Sequence, residues 1–301
     1  MKLRTFIIVL NWNGWRDTVE CVESLGKIDC PDCTVLIVDN GSTDGSERVL
    51  RERFPDIELL QTGGNLGFAG GMNFGVSHAL GEGAEYVILL NNDTVVDAAF
   101  AGELLAAARG HPEAGILCSK IYFYDRPDVL CYAGAGFSRA LGWGRLRGYG
   151  LKDDGRYDRV EETERPSGCS MMVTRRFCEE VGLLDERYFC YVEDTDWGMR
   201  AAQRGFRVLF VPSSKVWHKV SSSTGGKSTA VSLYYNVRNI LLCLDKNAPL
   251  PFPAGLLRGA SVLSTSLMSL FTMGIPRGLG IRRIYQGARD YLRGRFGEFR
   301  G

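Results

Sequence analysis

The sequence predicts an α/β fold: a mostly parallel sheet with helices on both faces, followed by a C-terminal helical extension. Three observations predict it. Strand and helix signals alternate through the first half of the chain. The strand signals are continuous apolar runs, as expected of strands covered on both faces. Polar segments rich in Asn, Asp and Gly follow three of those runs, at the carboxyl ends where an open α/β sheet holds its ligand.

In chain order, "RTFIIVL" reads as a first strand, and "GWRDTVECVESL" as a helix with apolar positions at Val19, Val22 and Leu25. "TVLIVD" is a second strand. "TDGSERVLRERF" is helical, with Thr43 or Asp44 available to cap it. "IELLQ" is a third strand, and "GFAGGMNFGVSHAL" a glycine-rich helix. "YVILL" is a fourth strand. "DAAFAGELLAAARG" is a helix closed by Gly110, and "AGILCSKIYF" is a fifth strand. Residues 131–168 are rich in Gly, Arg and Asp and read as loops and short hairpins. Order returns with "GCSMMVTRRFCEEVG", "YFCYVEDTDWGMRAAQRG", "FRVLFVP" and "KVWHKV", and residues 228–245 read as a helix. Residues 1–245 thus form one domain and 246–301 an extension.

Length and composition set limits. With 301 residues, 45% of them hydrophobic, the chain can bury a full core. A formal net charge of +1 argues against a general nucleic-acid binder. The N-terminus has a basic start but only Phe6 to Leu10 as an apolar stretch. That is too short for a signal-peptide core, so a cytoplasmic protein is expected. The nine cysteines are therefore expected as free thiols. Cys30-Pro-Asp-Cys33 is a C-x-x-C, but no second pair and no paired histidines accompany it. It lies in a loop before a strand, whereas redox pairs open a helix.

Two familiar phosphate motifs fail on spacing. No G-x-G-x-x-G occurs, which excludes the nicotinamide and flavin fingerprint. "SSSTGGKST" imitates a P-loop, but its first glycine position is Ser221. Other residues follow a different logic. Asp39, ending the second strand, can accept hydrogen bonds from a base or ribose, or make an Asx-turn. Residues 63–71, "GGNLGFAGG", let backbone approach a ligand closely, or let a helix pack tightly on the sheet. Asp93 in "LLNNDTVV" is a hard oxygen ligand suited to a divalent ion bridging a diphosphate, or part of a turn.

The combination resembles the GT-A fold glycosyltransferases of family two, especially their bacterial rhamnosyltransferase-like branch. "VLNWNGW", "VLIVDNGSTDGS", "GGNLGFAGGMNFG", "LLNNDTVV", "GCSMMVTRR", "FCYVEDTDWGMRAAQRGF" and "VWHKVSSST" carry the resemblance, in family order, over residues 4 to about 240. Each is weak alone; seven in order are specific. The resemblance implies a nucleoside diphosphate sugar donor, with dTDP-rhamnose ahead of UDP-hexoses, and a lipid-linked or growing polysaccharide acceptor. The family's D-x-D metal motif falls on Asn91-Asn92-Asp93, where Asn91 replaces a charged ligand. Its metal-binding histidine falls on His218. A carboxylate with an imidazole suits Mn²⁺ better than Mg²⁺. Its acidic motif falls on Glu193-Asp194, with Asp194 as general base and Asp196 structural. Gly168 to Met172 match the segment lining the donor sugar and acceptor cleft, with Gly168 and Cys169 as its substrate-binding candidates. Asn11, Asn13, Asp39, Asn65, Gly67, Asn91 and Asn92 are the other substrate-binding candidates. Trp12, Trp15 and Trp197 would stack on base or sugar, or pack the core. Two rivals remain: a nucleotidyltransferase that makes sugar nucleotides, for which "NWNGW" lacks the Gly- and Arg-rich phosphate loop, and a non-catalytic sugar-binding module.

The tail carries its own signal. No charged residue occurs from Gly259 to Ile275, a stretch shorter than the roughly 20 residues a spanning helix needs. Seven arginines follow, from Arg277 to Arg300, against only Asp290 and Glu298. The expectation is a peripheral element on the anionic inner face of the cytoplasmic membrane. The alternative is a helix pair that packs on the catalytic domain or joins a homo-oligomer.

Overall fold

The structure, a computed structural model, describes residues 4–220, 230–271 and 273–301. The first half alternates as expected: β1 (Thr5–Asn11), α1 (Trp15–Leu25), β2 (Cys33–Asp39), α2 (Ser46–Arg53), β3 (Glu58–Gln61), α3 (Gly67–Gly81), β4 (Tyr86–Asn91), β5 (Thr94–Val96), α4 (Phe100–Gly110) and β6 (Ala114–Phe123). The loop-rich stretch holds β7 (Leu130–Tyr132), β8 (Ala135–Ser138), β9 (Trp143–Leu146) and β10 (Glu161–Glu162). Then come β11 (Ser170–Thr174), α5 (Arg175–Val181), α6 (Glu193–Gln203), β12 (Arg207–His218), α7 (Ala230–Asn247), α8 (Ala254–Ser269) and α9 (Arg277–Leu292).

The main sheet runs β10-β12-β6-β11-β4-β1-β2-β3. Strands β3, β2, β1 and β4 are parallel neighbours, and β12 is parallel to β6. Strand β11 lies between β4 and β6 and is antiparallel to both. The apolar runs fill both faces of this sheet. Phe6, Ile8, Val87 and Leu89 enter the core under α3, while Ile7, Val9, Ile88 and Leu90 enter the core under α1 and α4. Each such fully buried side chain is worth about 1.5–3 kcal/mol. Tight packing explains part of the glycine-rich helix: a Cβ at Gly75 would stand 2.8 Å from Ile8 and 2.9 Å from Val38.

Two expectations need correction. Cys30 and Cys33 are joined in a disulfide, not free. The loop between α1 and β2 turns tightly there, with the Cys33 N–H donating to the Cys30 carbonyl and the Cα atoms 5.4 Å apart, within bridging range. The other cysteines among the described residues are free. "FRVLFVP" and "KVWHKV" are one strand, β12, with a register shift against β6 between Val211 and Lys215. The P-loop imitation at 221–229 and the "SSST" after His218 lie outside the described residues.

The tail folds back. Helix α9 packs along α7, and α8 touches both. The boundary expected after residue 245 falls within the last turn of α7. There the Lys246 ammonium and the Asn247 amide both reach the fully buried Asp196. Among the described residues, no helix is long and apolar enough to cross a membrane.

Candidate active site

The sequence places an amide or a carboxylate at the end of each central strand, and the structure joins them into one network. Asn11, ending β1, donates to Asp39 Oδ1 at 2.6 Å and accepts from the Thr18 hydroxyl at 2.8 Å. Asp39, ending β2, is fully buried and also accepts from Gln61 Nε2 at 2.6 Å and from the Ser42 N–H at 3.3 Å. Both Asp39 oxygens are thus engaged within the protein. Asn13 adopts a left-handed φ of 51° and accepts from the Thr43 N–H at 2.8 Å, fastening the first polar loop to the second. Asn92 donates to Thr18 Oγ1 at 2.9 Å, so the turn after β4 joins the same network.

Asn40 was not singled out from sequence, yet it stitches β2 to the glycine-rich segment. Its amide donates to Asn65 Oδ1 at 3.2 Å and to the Gly67 carbonyl at 3.0 Å, and it accepts from the Leu66 N–H at 3.1 Å. Its position beside Asp39, in "VDNGS", was the available signal. Asn65 caps the following turn by accepting from the Gly67 N–H at 2.9 Å. Gly67 has a φ of 72°, and a Cβ there would lie 2.4 Å from the Phe189 carbonyl oxygen. No side chain fits between this segment and the loop that precedes α6.

A second group meets around residues 168–169. The Asp93 carboxylate and His218 imidazole, both largely buried, lie 3.1 Å apart between Oδ1 and Nε2. Strand pairing brings them together, since Thr94 of β5 stands opposite His218 of β12. Burial opposes the charged form of His218, but the adjoining Cys169 sulfur and Asp93 carboxylate outweigh it. Its pKa is held well above the ordinary value. Cys169 is buried beside this imidazole, and its carbonyl accepts from the Asn91 N–H at 2.9 Å. One residue earlier, the Gly168 N–H donates to Asp194 Oδ2 at 3.1 Å. The segment Gly168–Cys169 therefore connects Asn91, Asp93 and His218 on one side with Asp194 on the other.

Asp194 sits half-buried in the first turn of α6, with its other oxygen held by the Thr195 N–H at 2.6 Å and hydroxyl at 3.0 Å. A helix N-terminus favours a carboxylate here. The approach is strained: Phe189, Tyr191 and Val192 have φ of 63°, 68° and 75°. Non-glycine residues held there cost about 1–3 kcal/mol each and persist only where the surroundings over-determine them. Asp196 has a structural place, bonded to Tyr188, Arg200, Lys246 and Asn247. Trp197 packs in the core, its indole N–H on the Gly182 carbonyl, while Trp12 is 46% exposed at the mouth of the first polar loop.

Glu193 is buried, and among the described residues its Oε2 has no hydrogen-bond partner. Burial first, and the Asp194 charge second, push its carboxyl up to about 8. Between the ordinary value and about 8 the folded chain holds a proton that the unfolded chain has released, so stability falls as pH rises through that window. Glu193→Gln removes the loss. Its melting temperature should match that of the parent near about pH 5 and exceed it by several degrees near about pH 8. Parallel melting curves across that range would show that Glu193 does not titrate in this way.

Asp93 and His218 are suited to a divalent ion: a carboxylate and an imidazole, converging from two paired strands. Among the described residues no group of three or more His, Cys, Asp or Glu could hold a metal. The remaining ligands of such an ion would have to come from water or a bound diphosphate.

Comparison with known proteins shows the family and the fold. Residues 6–176 match the family model described as Glycosyl transferase family 2. The chain is 33% identical over 267 residues to N-acetylglucosaminyl-diphospho-decaprenol L-rhamnosyltransferase of Mycobacterium tuberculosis, covering 78% of this chain and 83% of the relative. It is 27% identical over 237 residues to the dTDP-rhamnosyl transferase RfbF of Shigella flexneri, covering 71% and 72%. The mannosyltransferase PcManGT of Pyrobaculum calidifontis, solved with GDP-Man and Mn²⁺, superposes with a TM-score of 0.60 at 15% identity, covering 97% of this chain and 88% of that one. The chain belongs to glycosyl transferase family 2 and is a GT-A fold, rhamnosyltransferase-like glycosyltransferase.

Proposed function

We propose that this enzyme transfers rhamnose, with inversion, from a nucleoside diphosphate sugar to a lipid-linked or polysaccharide acceptor. The donor is dTDP-rhamnose first and UDP-hexoses second. One observation carries the reading: Gly168–Cys169 ties the carboxylate of Asp194 to the Asp93–His218 pair. A base and a diphosphate anchor on opposite sides of one segment suit a single displacement. The names of the two relatives support rhamnose, and that of the mycobacterial protein supports a lipid-linked acceptor.

In this mechanism Asp194 Oδ2 takes the proton of the acceptor hydroxyl, which attacks the anomeric carbon as the nucleoside diphosphate departs from the opposite face. Asn91 and Asn92 line the diphosphate side, and the Asn11–Asp39 and Asn40–Asn65 networks shape the nucleoside pocket. A divalent metal, Mn²⁺ or Mg²⁺, would be held by Asp93 and His218 and would offset charge on the departing diphosphate. Mixing dTDP-rhamnose with a lipid-linked acceptor should release dTDP and glycosylated lipid together. Formation of dTTP and rhamnose 1-phosphate from dTDP-rhamnose and added pyrophosphate instead would point to a nucleotidyltransferase. Donor-induced thermal stabilisation without product would point to a binding module.

The C-terminal helices are read as a peripheral membrane element on the cytoplasmic face. Leu256, Leu257, Leu267, Met268 and Phe271 are exposed along one side of α8 and its end, with no charge among them. On α9, Ile281, Tyr285 and Leu292 are exposed beside Arg277, Arg282 and Arg293. An apolar face next to a cationic one is complementary to an anionic lipid surface. Leu257 and Met268, eleven positions apart, point within about 20° of each other on a helix. Leu257→Glu with Met268→Glu should weaken binding to anionic vesicles at least about tenfold, since each lost side chain withdraws about 1.5–3 kcal/mol of burial. Turnover on a soluble acceptor should be unchanged. A parent chain that ignores anionic vesicles, with variants that split a homo-oligomer, would make this face an assembly surface.

A further inference from the structure

We infer that Arg238 and Asn239 of α7 are positioning residues for Asp194: they hold the left-handed loop that delivers it to the acceptor. The inference rests on the reading of Asp194 as general base. Sequence gave no reason to select either residue, since they lie in a helix remote from every motif of the site.

The loop from Arg187 to Val192 contains no glycine, yet three of its last four residues have positive φ. Something must hold it, and α7 does. The Asn239 amide donates to the carbonyls of Tyr188 at 3.0 Å, Cys190 at 2.8 Å and Tyr191 at 2.7 Å. Arg238 Nη2 donates to the Tyr188 carbonyl at 2.9 Å and the Arg187 carbonyl at 3.3 Å. Arg238 Nε donates to Asn239 Oδ1 at 2.9 Å, which fixes the amide with its N–H groups toward the loop. Both side chains are fully buried.

A buried guanidinium is costly to keep, and here it is used on backbone. Among the described residues Arg238 makes no ion pair with a carboxylate. Its other contacts are the Gly297 carbonyl at 2.6 Å, the Tyr234 hydroxyl at 3.3 Å, and the rings of Tyr234, Tyr235 and Phe296. The loop is bounded on its far side too. The Phe189 carbonyl accepts from the Ala69 N–H at 3.2 Å and abuts Gly67. The loop is thus clasped between the glycine-rich segment and α7, with Asp194 three residues beyond its last clamped carbonyl. Such a clamp sets where the carboxylate sits relative to the donor side of the site.

The test is a double-mutant cycle in the full-length protein, with a sugar nucleotide and acceptor that the parent turns over. Asn239→Ala should lower kcat at least tenfold at a temperature well below its melting point, with the KM for donor within about threefold. In an Asp194→Asn background the same change should cost less than about threefold, because there is no base left to misplace. Arg238→Lys, which keeps the charge but loses the fork, should show the same pattern in milder form. Equal losses in both backgrounds would overturn the inference, as would wild-type kcat in folded Asn239→Ala. Failure of both variants to fold with native donor affinity would overturn it too, leaving the pair a role in the fold alone. Wild-type turnover by Asp194→Asn itself would instead remove the base reading.

Discussion

Asp194→Asn is expected to cut turnover at saturating donor by about 10²–10⁴, the usual cost of losing a general base. The substitution keeps the shape and burial of the side chain. Its oxygen can still accept from the Thr195 N–H and hydroxyl, as Asp194 Oδ1 does now. The new amide nitrogen then faces the Gly168 N–H, which presently donates to Oδ2 at 3.1 Å. One hydrogen bond is lost, with an unmet donor, at a cost of about 1–3 kcal/mol. Melting temperature should therefore fall modestly while donor affinity, measured by calorimetry, stays near that of the parent. Collapse of donor binding with turnover at saturation preserved would assign Asp194 to the donor pocket and leave the base unidentified.

The sequence carried the parallel half of the sheet because a run such as "FIIVL" must bury both faces, and helices between such runs leave few alternatives. It did not carry strand direction. Nothing in "SMMVT" distinguishes a further parallel strand from the antiparallel β11 that lies between β4 and β6. Pro212 made one strand look like two, since proline ends most strands; here it sits at the irregularity between Val211 and Lys215, where the ladder to β6 is already interrupted.

The site was legible to a similar depth. Asp93, His218, Asp194, Gly168 and Cys169 were marked by the family pattern, and the structure gathers them along one segment. Asn11 and Asp39 were marked as ligand-facing, and the structure has them bonded to each other. An amide and a carboxylate at adjacent strand ends read alike whether they meet a ligand or each other. Arg238 and Asn239 were hidden for another reason. Their partners are backbone carbonyls about fifty residues away, and carbonyls leave no trace in a residue pattern.

Asp93→Ala is expected to abolish metal-dependent donor binding while leaving the fold intact. Asp93 is 6% exposed and lies between β4 and β5. The backbone around it is held without its side chain. The Asp93 carbonyl accepts from the Lys219 N–H at 2.9 Å, and β5 is paired to β12 through residues 94–96. Removing the carboxylate therefore leaves the strands in place and the His218 imidazole alone. Even the outer partners of metal ligands cost about 10–100-fold in affinity when replaced. Loss of the single charged ligand should exceed that, and with Asn91 in place of a second carboxylate there is no substitute within the turn. His218→Ala should weaken metal binding less, because it withdraws an imidazole that must first give up its proton to the solvent and keeps the carboxylate. The measurement is the rise in melting temperature caused by dTDP-rhamnose with and without Mn²⁺. The parent should show an added rise with metal, Asp93→Ala none, and His218→Ala a reduced one. Normal sugar transfer by Asp93→Ala in chelator would show that the diphosphate is held without a metal at this position.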